Sequence, residues 1–340
     1  MAKNKIIIKI ILVILGIFLF FALISFLNIK YFLGPQAKAP QSITNNPVIT
    51  LNGDTQTKIG LNSSYIEKGV TATDSRGNDI TTNITISNDI DTAKLGNYYV
   101  TYKIEGSQVQ RKVEVIVPNT KGIPILMYHF FYDSTKGETA ADANFTDVNN
   151  FRKQIEYLKD NDYYFPTWIE LNDYLDGNSI LPEKSIVITD DDGSESFFRL
   201  AYPVLQEYKV KTTSFIITSW ITNPDSLNVD RNLIKFESHS DNMHQGGCSK
   251  GHGSLFLCID HEEGKKDLLK SKQITGDSEV FCYPFGDYND SAKQLLMETG
   301  YIMAVTTDWG KATVGMDKLA LPRIRIQGTY TLNNFIEAIK

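Results

Sequence analysis

The chain lacks the cysteine content and the basic excess that mark two large classes of protein. Only three of its 340 residues are cysteine, which is too few for a fold held together by disulfides, and the number is odd. The formal net charge is −6, so bulk charge does not favour nucleic acid or an anionic bilayer as a partner. Hydrophobic residues make up 42%, as in ordinary globular proteins, and the length favours two domains.

The clearest break in composition lies at the N-terminus. Residues 10–27 (IILVILGIFLFFALISFL) are apolar apart from one glycine and one serine. About 18–20 apolar residues can cross a bilayer as a helix. Lys3, Lys5 and Lys9 precede this run, so the positive-inside rule places the N-terminus in the cytoplasm. We therefore predict that residues 1–33 are a cytoplasmic N-terminus followed by a transmembrane anchor.

A cleaved signal peptide is the alternative to this anchor. Signal peptides have a shorter apolar core, of about 7–15 residues, with a small-x-small cleavage site close behind it. Here the run is longer, and the only such site, Ala37-Lys38-Ala39, lies well downstream. The uncleaved anchor is the better interpretation, and residues 34–46 (GPQAKAPQSITNN), which have no apolar period, are predicted to be a linker.

Residues 47–118 have the pattern of a small antiparallel β-sandwich. Short apolar alternations such as VITL, YYVTY and VEVIV are separated by turn signals such as Asn52-Gly53 and Glu105-Gly106. The segments ITLNG, IGLNSSYIEKGVTATDSRGNDIT and DTAKLGNYYVTYKI resemble the bacterial immunoglobulin-like domains of surface proteins. The unit shows no cluster of titratable residues, so we expect a spacer.

From Gly122 onward, apolar strands alternate with helices. Strands are predicted in the runs IPILMY, SIVIT, TSFIIT, Val280–Cys282 and Met303–Thr306, and helices around residues 151–158, 197–208 and 291–299. Such alternation favours a parallel sheet, closed or nearly closed. About 220 residues is short for an eight-fold barrel, so residues 122–340 are predicted to form a distorted (β/α) barrel of the α/β class.

Two polar strings in this region carry the residue types of a metal site. Asp190, Asp191 and Asp192 follow the SIVIT run, where the sites of parallel α/β folds lie, and their mutual repulsion calls for a cation. His239 and His244 are five residues apart, which suits a loop folded around an ion. One carboxylate and two imidazoles suit a hydrolytic zinc-type ion, whereas the alternative is a solvated acidic turn and two loop histidines.

Other histidines and cysteines of this region are less specific. His129 follows IPILMY at a strand end, where it is either a general acid or a histidine that holds a loop. His252 and His261 lie in a polar stretch and are predicted to be surface residues. Cysteines 248 and 258 form a disulfide or remain thiols, and Cys282 is left over.

Together these strings resemble the polysaccharide deacetylase family, carbohydrate esterase family 4. ITDDDG is similar to its first motif, Thr-Phe-Asp-Asp-Gly, SHSDNMH to its second, and CYPFG to its third, Arg-x-Pro-Tyr-Gly. The histidine spacing and the string MYH resemble the poly-N-acetylglucosamine deacetylase branch. The resemblance implies the following roles: catalytic base Asp191, general acid His129, oxyanion-hole N–H Phe285, metal ligands Asp192, His239 and His244, and substrate contacts Tyr283, Pro284 and Trp309.

Two positions depart from the family pattern. Asp190 replaces a phenylalanine of the first motif, and Cys282 replaces the arginine of the third motif. In many members that arginine orients the catalytic aspartate. Its absence here implies either lower activity or positioning of Asp191 by another group.

The resemblance implies a metal-dependent N-deacetylase, most simply with Zn²⁺, that acts on N-acetylglucosamine units of an extracellular or cell-wall polysaccharide. With the anchor, it would be a single-pass membrane protein of a Gram-positive bacterium, with its catalytic domain outside the cell. The alternatives are a degenerate member that binds glycan without hydrolysing it, and a wall-anchored adhesin that acts through residues 47–118. The polymer and the native metal stay open.

Overall fold

The computed structural model describes residues 46–222, 224–276 and 278–340. The predicted membrane span at residues 10–27 and nearly all of the predicted linker lie outside these residues. Among the described helices, none combines the length and apolar character that crossing a membrane requires. The anchor therefore stays a prediction.

The region after Pro47 is all-β up to Pro118, as predicted. Its strands are β1 (Val48–Leu51), β2 (Gln56–Gly60), β3 (Val70–Thr73), β4 (Thr85–Asn88), β5 (Gly96–Ile104) and β6 (Ser107–Ile116). They form one two-stranded sheet, β1-β3, and one four-stranded sheet in the order β2-β6-β5-β4. The two sheets agree with the expected sandwich. The expectation of purely antiparallel pairing is wrong, because β2 runs parallel to β6.

The chain forms two compact units. The division falls inside the β-rich region, for example between Asn52 and Gly53, rather than between Pro118 and Gly122. The domain bounds 47–118 and 122–340 therefore stay predictions.

The rest of the chain alternates strands and helices. The strands are β7 (Ile125–Tyr128), β8 (Phe130–Tyr132), β9 (Phe145–Asp147), β10 (Val187–Asp192), β11 (Thr212–Ile216), β12 (Ile234–Ser238), β13 (Val280–Cys282), β14 (Met303–Trp309) and β15 (Leu321–Arg325). The helices are α1 (Val148–Asp160), α2 (Trp168–Leu175), α3 (Tyr202–Tyr208), α4 (His261–Thr275), α5 (Asp290–Glu298) and α6 (Leu332–Ile339).

Seven parallel strands close into a barrel in the order β10-β11-β12-β13-β14-β15-β7. The predicted reduced (β/α) barrel is confirmed. Successive strand residues point to opposite sides of the barrel wall. Accordingly, Val187 belongs to a core cluster with Trp168 of α2, whereas Ile188 belongs to a second cluster with Phe151 and Ile155 of α1.

The helix predicted around Pro203 begins irregularly. Residues Phe197–Ala201 form a π-helical turn, and α3 follows with Pro203 in its first turn. Ala201 and Tyr202 both keep right-handed helical backbone, so the π-helical turn runs directly into α3. The proline, which lacks the N–H that a helix interior needs, therefore lies next to this irregular turn.

A buried glutamate links β12 to β13, where the strand pairing of the barrel is short. The recorded pairing of β12 with β13 is limited to Ser238 and Phe281. Next to this pair, Glu237 Oε2 accepts hydrogen bonds from the backbone N–H of Glu279 and Val280, at 2.8 and 2.9 Å. Burial raises the pKa of Glu237 to about 7.

We predict that the protein loses stability between about pH 5 and pH 8 through Glu237. Its pKa is raised by folding from 4.5 to about 7, so its contribution is fully present below pH 4.5 and lost as the pH rises through 7. The loss is on the order of 3 kcal/mol. Glu237→Gln keeps an oxygen acceptor but cannot ionise, so urea unfolding of this variant should depend less on pH. Identical pH profiles for the two proteins would contradict the prediction, and exposed Glu105→Gln is the control.

Candidate active site

Three predicted ligands meet at the carboxyl ends of the barrel strands. Asp192 ends β10, and His239 and His244 lie on the loop after β12. Asp192 Oδ1 lies 3.5 Å from His239 Nε2 and 3.7 Å from His244 Nε2. The two imidazole rings have their centroids 4.5 Å apart. The spatial convergence that the sequence predicts is therefore present.

The donor set fits one divalent cation. Asp192 Oδ1 is buried and accepts no hydrogen bond from any described residue. His239 Nδ1 lies 2.7 Å from the carbonyl oxygen of Cys282, an acceptor, so Nδ1 carries the proton and Nε2 keeps its lone pair toward Asp192. Burial and the charge of Asp191 raise the pKa of Asp192 to about 7, and burial lowers the pKa of His239 to about 3. A cation between them would relieve the cost of this arrangement, and one oxygen with two nitrogens is a zinc-type set.

Left-handed backbone turns aim the groups of the site. Asp192 has φ 74° and Gly193 has φ 64°, where an added Cβ would lie 2.5 Å from Ile216 Cγ2. Phe285 and Gly286 form a second such pair, with φ 58° and 77°. A residue other than glycine in this region stores strain of about 1–3 kcal/mol, and such strain clusters at functional sites.

The histidine loop is held by a carboxylate of α4. Asp267 accepts hydrogen bonds from the backbone N–H of Asp241 and Asn242, at 2.7 and 2.8 Å. Between the two histidines, Ser240 has φ 73°. The five-residue spacing therefore corresponds to an irregular loop, as the sequence suggests.

Asp191, the predicted base, is gripped by an arginine that sequence reasoning missed. Arg323 of β15 is fully buried and donates from Nη1 to Asp191 Oδ1 and from Nη2 to Oδ2, both at 2.7 Å. Arg323 also donates to Thr306 O and Thr189 Oγ1. Burial alone would raise the pKa of Asp191, but the Arg323 guanidinium lowers it well below its usual range.

Cys282 lies between these charged groups. Its thiol is 3.4 Å from Asp191 Oδ2 and 3.3 Å from Arg323 Nη2. The arginine that the third motif lacks is thus supplied from β15, and its guanidinium contacts the cysteine that took its place. The sequence signal for this ion pair is an arginine inside the apolar run LPRI, which lies outside the three motifs.

His129 lies near the carboxylate of Asp191. Its Nε2 is 3.9 Å from Asp191 Oδ2, and its side chain is 18% exposed. Burial lowers the pKa of His129 to about 4, so the ring is neutral at pH 7. The arrangement Arg323–Asp191–His129 sits beside the predicted metal ligands.

The third-motif residues have different surroundings. The ring of Phe285 packs against His244 at 4.8 Å between centroids, beside the site. Tyr283 is 1% exposed, and its hydroxyl donates to Leu319 O at 2.9 Å, so its predicted contact with substrate is wrong for the side chain. Pro284 is also buried. Trp309 is 60% exposed, which excludes a core role.

The other singled-out residues lie as follows. Asp190 is part of β10 rather than of a turn, is buried, and accepts a hydrogen bond from Ser214 Oγ at 3.0 Å. Burial and the neighbouring charge of Asp191 raise its pKa well above the usual value. Cys248 and Cys258 form a disulfide. His252 Nδ1 and His261 Nε2 lie 2.9 Å from carboxylate oxygens of Asp287 and Glu298, and both side chains are exposed, as predicted.

Fold and site define a class: a seven-stranded (β/α) barrel with a candidate Asp-His-His metal centre at its mouth and a second aspartate beside it. Residues 178–304 match the family model described as polysaccharide deacetylase. Residues 49–115 match the model of the bacterial surface protein Ig-like domain. The chain therefore contains regions that match each of these two families, and both predicted resemblances are confirmed.

Known proteins of this kind resemble the chain in sequence and in structure. A poly-beta-1,6-N-acetyl-D-glucosamine N-deacetylase of Staphylococcus epidermidis is 30% identical over 193 residues, which is 52% of this chain and 66% of that protein. The acetate complex of the Streptococcus pyogenes deacetylase PplD matches with a TM-score of 0.54 and 25% identity, over 66% of this chain and 100% of that one. IcaB from Ammonifex degensii, at 21% identity and a TM-score of 0.56 over 65% of this chain and 98% of its own, shares the fold.

We predict that Arg323 is needed for stability because it neutralises a buried carboxylate. Arg323→Met should lower the free energy of unfolding by about 3–5 kcal/mol, since Asp191 is left charged and buried. In the double variant Arg323→Met/Asp191→Leu much of this loss should be recovered. Urea unfolding checks both, with Arg325→Met, an exposed arginine of the same strand, as the control. Equal stability of Arg323→Met and the unsubstituted protein would refute the claim.

Proposed function

We propose that the protein hydrolyses the N-acetyl groups of an N-acetylglucosamine-containing polysaccharide. The observation that carries this is the convergence of Asp192, His239 and His244 within 3.7 Å, beside an ionised Asp191 and a neutral His129. The family match and the name of the Staphylococcus relative support the same reaction. The poly-β-1,6-linked polymer of that name is the first substrate to test.

Asp192, His239 and His244 would hold the cation, and two imidazoles with one carboxylate favour zinc over magnesium or calcium. When bound, the ion supplies a Lewis acid that lowers the pKa of water and polarises the amide carbonyl. The backbone N–H of Phe285 would donate to the oxygen that becomes negative as water attacks. The left-handed turn at Phe285 and Gly286 fixes the direction of that N–H.

Asp191 accepts the proton of the attacking water. Its carboxylate is ionised because Arg323 lowers its pKa, and the same interaction keeps its proton affinity low. Neutral His129 lies 3.9 Å from Asp191 Oδ2, so it can receive this proton and give it to the amine nitrogen as the C–N bond breaks. One proton thus passes from water to the leaving amine, so acetic acid and the amine result. Acetic acid then ionises to acetate, and its proton is taken up by the amine as ammonium.

The alternative function, glycan binding without hydrolysis, rests on the departures from the family pattern at Asp190 and Cys282. In the structure, the raised pKa of Asp190 removes the expected third charge, and Arg323 provides the bond that a third-motif arginine would make. Both observations favour hydrolysis over glycan binding alone.

Acetate release tests the reaction. The full chain, loaded with zinc or cobalt, should release acetate from acetylated glucosamine oligomers, and a chelator should stop it. Asp192→Asn and His239→Ala should lower the bound metal, measured by elemental analysis, and reduce acetate release by at least about 100-fold, since the Lewis acid is lost. Full metal content or full activity in either variant would count against the site.

In the same proposal, residues 10–27 anchor the chain in the cell membrane, with the barrel outside the cell. We expect the full chain in the membrane fraction after a high-salt wash, and its barrel open to added protease in intact cells. A chain that begins at residue 34 is the control, and it should leave that fraction. Release of the full chain into the medium would refute the anchor.

A further inference from the structure

One exposed tryptophan beside the site has no role so far. Trp220 closes a short 3₁₀ turn, Thr218–Trp220, just after β11. Its side chain is 52% exposed, yet its ring packs edge-on against His244, with 5.6 Å between centroids. Phe285 contacts the same imidazole at 4.8 Å, also edge-on. A predicted metal ligand is thus flanked by two aromatic rings, of which Trp220 is the more exposed.

The backbone at Trp220 is fixed to the histidine loop. The N–H of Thr218 and that of Ser219 donate to the carbonyl oxygens of Ser240 and Asp241, both at 3.1 Å. Thr218 Oγ1 also donates to Asp241 Oδ1 at 2.7 Å. These bonds fix the backbone from which the indole projects, and about half of Trp220 is exposed to water. A large apolar ring that is left exposed on a fixed backbone is a typical binding surface.

A second exposed tryptophan lies farther round the barrel mouth. Trp309 ends β14, and in the barrel order β14 stands three strands away from β11, which places the two rings at separate parts of the rim. His244 and Phe285 come from the loops after β12 and β13, between them. A rim with a ring on either side of the reacting centre suits an extended chain better than a single small molecule.

We propose that Trp220 forms a subsite that stacks against a pyranose ring next to the sugar being deacetylated, which makes the protein selective for polymer over monosaccharide. This inference rests on the proposed function, because it needs the reacting acetamide at Asp192, His239 and His244. The axial C–H groups of a pyranose make one of its faces apolar, and the indole offers a flat apolar surface of similar size. Stacking there removes both from water.

The test compares chain lengths. Trp220→Ala should raise the KM for acetate release from an N-acetylglucosamine pentamer by about 10-fold, with kcat little changed and the monosaccharide unaffected. Trp220→Phe keeps a ring and should restore most of the affinity. Ile169→Ala, which shortens a 64% exposed residue of α2, is the control. Bound metal is measured in every variant.

Calorimetric titration with the same pentamer separates the two proposals, because binding needs no turnover. An unsubstituted protein that releases no acetate counts against the hydrolase. Equal pentamer affinity of the unsubstituted protein and Trp220→Ala overturns the subsite, whatever the first result. The subsite is also overturned if Trp220→Ala loses bound metal or weakens the monosaccharide and the pentamer equally, because Trp220 would then only support His244.

Discussion

Three consecutive aspartates at the end of β10 are all buried, and the rest of the site follows from how each is tolerated. Burial of a carboxylate is costly unless it is paired, neutralised or bound to a cation. Asp191 forms an ion pair with Arg323 and stays ionised. Asp190 instead accepts a hydrogen bond from Ser214, and its pKa is strongly raised. Asp192 Oδ1 faces two imidazole nitrogens without a donor among the described residues. Asp192 is therefore the aspartate whose burial a bound cation would compensate.

This division of roles depends on closure of the barrel. Arg323 lies on β15 and Asp191 on β10, and these strands are both neighbours of β7 in the closed sheet. Their side chains meet inside the barrel mouth, together with Cys282 from β13. If β7 lost its pairing with either neighbour, β10 and β15 would separate and the carboxylate would lose its counter-ion. Global topology and local charge balance therefore support each other.

The sequence predicts the convergence of Asp192, His239 and His244 because its strings follow strands of one parallel sheet, and such strand ends meet at one edge. It does not predict Arg323, whose partner lies 132 residues away and whose role depends on strand order rather than on a motif. Nor does it distinguish the buried Tyr283 from Phe285, because the left-handed backbone at Phe285 breaks the alternation of the preceding strand.

The two departures from the family pattern have one physical explanation. A third-motif arginine would reach Asp191 from β13, but Arg323 already takes both of its oxygens from β15. A second guanidinium there would be buried without a carboxylate of its own, whereas the thiol of Cys282 is small and neutral, since burial raises its pKa well above the usual value. At the first motif, Asp190 is tolerated because Ser214 lies opposite it in the register of β10 and β11. Each departure is thus paired with a compensating residue on a neighbouring element, which is expected if the geometry around Asp191, rather than the motif itself, is what the fold maintains.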